Sequence, residues 1–260
     1  MNEPRGKQLS GISVLVTRPA GDTATLVTMI ERLGANAIAC PTIEIVPRPV
    51  AAADWPPSAG VVASIFTSKA AVECGAQAWQ SHYLGAHPAC AVGPATAELL
   101  KQFGPGEVVV PTQDFTSEGL LALELLSASK IRGRTVVLVK GVGGRDLLPE
   151  ALTSRGAMVA QIECYARHKT RDSLRQAVTR AGVSCPDYAV VSSAESLVNL
   201  ADKISADALP ACLGTQLLVS SPRIAARAAA LGFTRDPLVV DNPSNENFTR
   251  RLLALAGENP

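Results

Sequence analysis

The sequence is poor in aromatic residues, has no excess of charge of either sign and contains no long apolar run. Phe, Tyr and Trp make up 4% of the 260 residues, and the formal net charge is +1. A chain so close to neutrality lacks the broad basic face that nucleic acids and anionic membranes attract. The apolar run at residues 12–16 is too short for a signal peptide, and nothing approaches the roughly 18 apolar residues that span a bilayer. We therefore expect a cytoplasmic protein that binds neither nucleic acid nor membrane.

Familiar catalytic and metal-binding motifs are also missing. The sequence contains no GxSxG, HExxH or CxxC motif and no pair of carboxylates at a readable spacing. We expect His82, His87 and His168 to lie at the surface. A chain of this length does not need disulfides for stability, so we expect its six cysteines to be buried free thiols. They are Cys40, Cys74, Cys90, Cys164, Cys185 and Cys212.

The chain contains two copies of one pattern, about 125 residues apart. VLVTRPAGDTATLVTMIERLGA (14–35) and VLVKGVGGRDLLPEALTSRGA (137–157) both give an apolar strand, a Gly-containing loop, an Asp, an amphipathic stretch and Gly-Ala. Three further pairs recur at a similar offset: SIFTSKAAV (64–72) with AVVSSAESL (189–197), AVGPATAELLKQFG (91–104) with LVSSPRIAARAAALG (218–232), and VVVPTQDFTSEGLL (108–121) with LVVDNPSNENFTRRL (238–252). Four pairs in the same order indicate a duplicated unit.

Each copy alternates apolar strands with amphipathic helices. Leu26, Ile30 and Leu33 follow the spacing of one buried helical stripe. Gly34 and Gly156 lie where a left-handed residue ends a helix. The apolar runs are continuous rather than alternating, which is typical of parallel strands covered on both faces. The sequence therefore predicts an α/β protein with two similar doubly wound domains and parallel sheets.

Two arrangements of the copies fit the sequence. They could follow one another and divide near residue 130, or one domain could be inserted into the other at residues ~50–160. The Pro-rich stretch at 40–58 is typical of a crossing linker, and the polar stretch at 165–172 could be the return. These two stretches favour the nested arrangement.

Polar loops follow several predicted strands, at the edge where open α/β sheets bind ligands. The loop at residues 141–146 (GVGGRD) lacks the third Gly of a dinucleotide fingerprint, and no GKS or GKT follows. Its glycines would let backbone N–H groups approach an anion, with Arg145 as a planar donor, although a plain tight turn is the alternative. Each Ser or Thr could equally be a helix N-cap. The candidate substrate-binding residues in these loops are Thr17, Arg18, Ser68, Lys69, Gly93, Gly143, Gly144, Arg145, Ser192, Ser193, Ser221 and Arg223.

Several segments together resemble uroporphyrinogen-III synthases of proteobacteria. They are ISVLVTRP (12–19), VVLVKGVGGRDLLPEALTSRGAMVAQIECYAR (136–167), LLVSSPRIAARAAALGF (217–233) and DNPSNENF (241–248). The likeness runs in order from Ile12 to Leu253. It implies two flavodoxin-like domains with the active site between them. The implied boundaries are residues 1–42 with 170–260 for one domain, residues 50–163 for the other, and linker strands at 43–49 and 164–169.

The resemblance also implies the reaction. Hydroxymethylbilane loses water, its terminal ring is inverted through a spiro intermediate, and the macrocycle closes as uroporphyrinogen III in haem biosynthesis. The substrate is a linear tetrapyrrole with eight carboxylates, and the family uses no metal or organic cofactor. We expect a monomer with transient contact to hydroxymethylbilane synthase.

The resemblance singles out a few residues. Tyr165 matches the family's favoured acid candidate, and a phenol keeps its proton at neutral pH and can donate it to the leaving hydroxyl. Thr96, in a Gly-Pro-Ala-Thr turn, is a substrate-binding candidate. Some members carry a Gly-Pro-Thr-Thr turn where this chain has SSPRI (220–224), so a catalytic Thr cannot be carried over there. Ser221 or Arg223 would make that contact instead.

Two other functions share the predicted fold. A non-enzymatic two-domain protein could close on a small anion or a nucleotide with the same strand-end loops. A flavodoxin-type flavin protein is the second alternative, but the sequence has no phosphate-binding loop dense in Ser and Thr.

Overall fold

The computed structural model describes residues 8–241 and 244–258. Its strands are β1 (Ser13–Val16), β2 (Asn36–Ala39), β3 (Ile43–Pro47), β4 (Val61–Phe66), β5 (Ala89–Ala91), β6 (Val108–Val109), β7 (Thr135–Gly141), β8 (Met158–Lys169), β9 (Tyr188–Val191), β10 (Gln216–Val219) and β11 (Leu238–Val239). Its α-helices are α1 (Ala20–Arg32), α2 (Lys69–Tyr83), α3 (Pro94–Lys101), α4 (Ser117–Leu121), α5 (Ala128–Ile131), α6 (Leu147–Ser154), α7 (Leu174–Arg180), α8 (Ala194–Ala206), α9 (Pro222–Ala228) and α10 (Asn245–Glu258).

The chain divides into two compact units, one of Met1–Glu44 with His168–Pro260 and one of Ile45–Arg167. The first unit holds a parallel sheet with the strand order β11-β10-β9-β1-β2. If the five strands of this unit are numbered 1 to 5 along the chain, their order across the sheet from β2 to β11 is 2-1-3-4-5. This is the flavodoxin order. Residues 1–7 and 259–260, at the ends of the predicted first domain, lie outside the described residues, as do residues 242–243.

The second unit holds a sheet with the order β3-β8-β7-β4-β5-β6. The five strands from β8 to β6 are parallel, and they show the same flavodoxin order once the count begins at β7. The N–H group of Arg48 bonds to the carbonyl of Cys164, and that of Thr170 bonds to the carbonyl of Thr42. Because the two residue numbers change in opposite senses, β3 and β8 are antiparallel. The predicted α/β class with two parallel sheets is confirmed, with β3 as the one antiparallel strand among the described residues.

The duplicated pattern appears as matching strands in the two sheets. β1, β9, β10 and β11 occupy the positions that β7, β4, β5 and β6 occupy in the other sheet. These are the four pairs that the sequence predicts. Along the chain, however, β1 belongs with β4–β6, and β7 belongs with β9–β11. In each sheet, two of the five parallel strands (β1 and β2, or β7 and β8) therefore come from one copy and three from the other, as in the nested arrangement.

Both faces of each sheet are covered by apolar side chains. In β1, Val14 and Val16 join one buried cluster while Leu15 joins the cluster on the other face. In β4, Ile65 and Phe66 are divided in the same way. This two-sided burial explains why the strands are continuous apolar runs. None of the described helices combines the length and the apolar composition needed to cross a bilayer.

The prediction that all histidines lie at the surface is wrong for His87. This side chain is buried, and its Nε2 lies 2.8 Å from Oγ of Ser64, which also accepts a hydrogen bond from Nε1 of Trp79 at 2.8 Å. Burial lowers the pKa of His87. His168 is exposed and His82 is half-buried. The six cysteines are free thiols, of which Cys74 and Cys185 are half-buried and the other four are buried.

Candidate functional site

An open pocket of about 190 Å³ lies at the carboxyl ends of β4 and β7 in the second unit. Its lining consists of Thr67, Ser68, Ser117, Leu138, Lys140, Gly141, Gly143, Gly144, Arg145, Leu148, Pro149, Tyr165 and Arg167. In the flavodoxin order, the strand order reverses between these two neighbouring strands. Open α/β sheets bind ligands at such a switch point, because the loops leave in opposite directions and open a crevice.

Tyr165 lies on β8 and is one of the residues that line the pocket. The side chain is 4% exposed, and its hydroxyl lies 3.0 Å from Oγ of Ser68. Ser68 is also the N-cap of α2, where its Oγ accepts a hydrogen bond from the N–H group of Ala71 at 3.0 Å. The phenol is therefore placed by a side chain that is itself fixed at a helix terminus.

The backbone of Gly141 provides the space for the Tyr165 ring. A Cβ atom at Gly141 would lie 2.6 Å from both Cε2 and Cζ of that ring. The N–H group of Val142 donates to the carbonyl of Tyr165 at 2.8 Å, next to a register shift between Lys140 and Gly141. Any side chain at residue 141 would displace the phenol.

The loop between β7 and α6 presents anion donors to the same pocket. Gly143 and Gly144 adopt φ values of +68° and +97°, which glycine tolerates without strain. The N–H group of Gly143 donates to Oε1 of Glu163 at 3.3 Å. The guanidinium of Arg145 binds both carboxylate oxygens of Glu118, at 2.8 Å and 3.3 Å. The hydrogen bond from Arg145 is the main cause that lowers the pKa of Glu118 to about 2.

Two cations in the pocket lining, Lys140 and Arg167, are not among the residues predicted from the sequence. Lys140 is 8% exposed, and its Nζ donates to Oε1 of Gln161 on the neighbouring strand at 3.2 Å. A charged residue at the end of an otherwise apolar strand was the signal available for Lys140. Glu118 was missed as well, and its contact with Arg145 spans 27 residues, so no local pattern indicates it.

Five of the predicted residues lie together in this pocket, and three others of the second unit lie outside its lining. The five are Ser68, Gly143, Gly144, Arg145 and Tyr165. The three are Lys69, the first residue of α2; Gly93, the N-cap residue of α3; and Thr96, which is buried in the first turn of α3.

The predicted residues of the first unit follow the carboxyl ends of its neighbouring strands. Thr17 is fully buried, and its hydroxyl donates to the carbonyl of Val190 at 2.8 Å. The guanidinium of Arg18 packs over the ring of Phe248, 5.0 Å from its centroid, and donates to Asn245. Both side chains are thus engaged within the unit.

Four further candidates of the first unit are more accessible. Ser193 is the N-cap of α8, where its Oγ accepts from the N–H group of Ser196 at 3.0 Å. Ser192 is half-buried beside it, and Ser221 is the half-buried N-cap residue of α9 without a side-chain capping bond. Arg223 is exposed on the first turn of α9.

Comparison with known proteins gives one consistent family. The family model described as "Uroporphyrinogen-III synthase HemD" matches residues 24–248. The chain is 32% identical to the uroporphyrinogen-III synthase of Salmonella typhimurium and 31% identical to that of Escherichia coli, in each case over 93% of this chain and 100% of the relative.

Solved structures show the same fold at lower identity. A mutant uroporphyrinogen III synthase from Thermus thermophilus superposes with a TM-score of 0.60 at 19% identity, covering 96% of this chain and 100% of that chain. The uroporphyrinogen-III synthetase of Helicobacter pylori gives 0.59 at 15% identity, covering 94% and 99%. The fold agrees with the family model and with the relatives' sequences, so this chain belongs to the uroporphyrinogen-III synthase family.

Proposed function

We propose that the chain is a uroporphyrinogen-III synthase, which cyclises hydroxymethylbilane with inversion of the terminal ring and loss of water. The observation that carries the proposal is the position of Tyr165 in the lining of a pocket that also contains a glycine-rich loop and three cations. The relatives bear the name of this enzyme of haem biosynthesis. The proximity of Tyr165 to the N–H groups and cations of this pocket supports a proton donor that acts beside bound carboxylates.

In this proposal, Tyr165 assists departure of the substrate hydroxyl. The carbon–oxygen bond of the hydroxymethyl group breaks as the pyrrole nitrogen lone pair moves into the ring system. The phenol proton passes to the leaving oxygen, which departs as water. After the new carbon–carbon bond has closed the macrocycle, a carbon of the attacked pyrrole loses its proton as that pyrrole becomes aromatic again, and this proton restores the phenol. In this proposal Ser68 is a positioning residue: its hydroxyl donates a hydrogen bond to the phenol oxygen of Tyr165, so the phenol proton is directed to the ligand.

The carboxylates of the substrate are bound, in this proposal, by the loop at 141–146, by Lys140 and by the backbone N–H group of Ser68, whose hydroxyl proton is directed to Tyr165. Backbone N–H groups next to Gly residues and a planar guanidinium suit carboxylate oxygens. The proposal extends to residues outside the pocket as candidates for other carboxylates of the same substrate: Thr17, Arg18, Lys69, Gly93, Thr96, Ser192, Ser193, Ser221 and Arg223. Each preference of ~1.4 kcal/mol for one closure gives a tenfold bias, so many weak contacts can select the inverted product.

The test is the isomer of the product. The purified chain is incubated with hydroxymethylbilane synthase and its substrate, and the oxidised porphyrins are separated by chromatography. We expect type III uroporphyrin, whereas spontaneous closure gives type I. A non-enzymatic protein that binds small anions or nucleotides would leave the isomer ratio of the enzyme-free control unchanged.

We further propose that the chain acts as a monomer in the cytoplasm and meets hydroxymethylbilane synthase transiently. Free thiols are maintained in a reducing compartment, and the six cysteines of the structure are free. Sedimentation of the chain alone and in mixture with that enzyme measures both the oligomeric state and the contact. A stable dimer of the chain would contradict this proposal.

The domain boundaries at 1–42 with 170–260 and at 50–163, with linker strands at 43–49 and 164–169, are also a proposal. It is supported by the two compact units, whose limits fall within a few residues of these positions. Two separate unfolding transitions in denaturant would agree with independent domains. A single unfolding transition that stays single in destabilised variants would contradict two independent domains.

A further inference from the structure

Arg145, in the pocket lining, is bound to a carboxylate of the chain itself. Its Nη1 and Nη2 lie 2.8 Å and 3.3 Å from Oε1 and Oε2 of Glu118, and the hydroxyl of Ser117 lies 3.5 Å from Nη2. This paired geometry is the one in which arginine recognises carboxylate ligands. Glu118 therefore stands where a ligand carboxylate would bind.

The turn that carries Glu118 is tightly packed. Thr116 is the N-cap of α4, and its hydroxyl accepts a hydrogen bond from the N–H group of Gly119 at 3.3 Å. A Cβ atom at Gly119 would lie 1.7 Å from the carbonyl oxygen of Asp114, so only glycine fits there. Leu120 is fully buried. The segment thus presents Glu118 to Arg145 from a fixed backbone.

A second carboxylate contacts the same loop. Oε1 of Glu163 accepts from the N–H group of Gly143 at 3.3 Å, and its Oε2 lies 3.4 Å from Nη1 of Arg48. The backbone donor and the guanidinium of the loop at 141–146 are therefore both directed at carboxylate oxygens. The two contacts indicate which chemical group this loop accepts.

We propose that Glu118 competes with the substrate for Arg145, and that one carboxylate of the substrate takes the place of the Glu118 carboxylate on binding. This inference rests on the proposed function, because the tetrapyrrole supplies the competing carboxylate. The side chains of Arg145 and Glu118 are 53% and 52% exposed, and exposed ion pairs are weak because water screens them. A ligand carboxylate held by further donors can therefore replace Glu118.

The experiment is a double-mutant cycle with Glu118→Gln and Arg145→Gln, which keep the side-chain sizes close to the originals. The dissociation constant of uroporphyrin III, an octacarboxylate, is measured by porphyrin fluorescence anisotropy. The KM for hydroxymethylbilane is measured in the coupled assay. An exposed ion pair changes an equilibrium constant by a factor of about two to five. Glu118→Gln should therefore lower both the dissociation constant and KM by about that factor. In the Arg145→Gln background the same substitution should change neither constant.

Glu124→Gln is the matched control, since it removes an equal charge from an exposed residue whose carboxylate accepts from Ser127. It should leave both constants unchanged. Weaker or unchanged binding in Glu118→Gln, or a gain that persists without Arg145, would overturn the competitor role. Failure of the wild-type chain to make type III product would instead overturn the proposed function, and the porphyrin affinities alone would then decide the role of Glu118.

Discussion

The hydroxyl groups of Ser68 and Tyr165 lie 3.0 Å apart, so the N-cap residue of α2 also positions the phenol in the pocket wall. Ser68 accepts from the N–H group of Ala71 with one lone pair and keeps its own proton for a second partner. The phenol oxygen is thereby held at a defined point next to the anion donors of the loop at 141–146. Proton donation from a fixed position is the requirement for general acid catalysis.

Replacing Tyr165 with Phe tests the proton donor directly. We expect kcat to fall about 100-fold, which is the lower range for loss of a general acid. KM and the unfolding midpoint should change little, because the ring and its packing remain. Steady-state kinetics of the coupled reaction measure both constants. Tyr188→Phe, at a half-buried tyrosine of β9, is the control, and equal kcat values for the two variants would remove Tyr165 from the mechanism.

Replacing Gly141 with Ala tests the space under the ring. The added Cβ would be 2.6 Å from two ring atoms, so the ring or the strand must move. Such overpacking typically costs about 1–3 kcal/mol of unfolding free energy. Urea unfolding should show that loss, and kcat should fall with it. Gly21→Ala is the control, because no atom lies within 4 Å of a Cβ there. Wild-type activity and stability in Gly141→Ala would show that the ring has room to move.

Acid should destabilise the protein through His87. Burial lowers the pKa of His87 below its ordinary value of 6.5, so the unfolded chain binds a proton more readily than the folded chain. The contribution of the neutral ring is complete above pH 6.5 and is lost as the pH falls towards the folded-state pKa. Unfolding free energies should show this loss when they are measured between about pH 8 and pH 5, a range that brackets the ordinary pKa of histidine. The slope should be smaller in His87→Gln and unchanged in His168→Gln, whose histidine is exposed; equal slopes in both variants would refute the assignment.

Four of the six thiols should resist modification in the folded protein. Burial raises the pKa of Cys40 to about 11 and those of Cys90, Cys164 and Cys212 to about 12. The thiolate is the reactive form, and it is scarce at neutral pH when the pKa is so high. Reaction with an aromatic disulfide reagent, followed with and without denaturant, should separate four slow thiols from the half-buried pair. Six equally fast thiols would contradict the burial.

The sequence predicts those parts of the structure that depend on local chemistry. The apolar runs become strands buried on both faces, and Gly34 and Gly156 adopt φ values of +92° and +88° at the ends of their helices. Contacts between distant residues are different in kind. His87 is buried because Ser64 and Trp79 meet it across the fold, and Lys140 is satisfied by Gln161 on the next strand. Such pairings depend on strand order, which the pattern of one segment does not contain.

Strand exchange between the two copies also determines when each sheet can be completed during synthesis. The sheet of the second unit has all its strands once residue 169 has been made. β1, in contrast, must wait for β9, as the hydrogen bond between Thr17 and Val190 spans 173 residues. At translation rates of 5–20 residues per second, that interval is roughly ten to thirty seconds. β1 can therefore pair with β2 at once, but its other edge lacks β9 until the strands of the second unit have all been made.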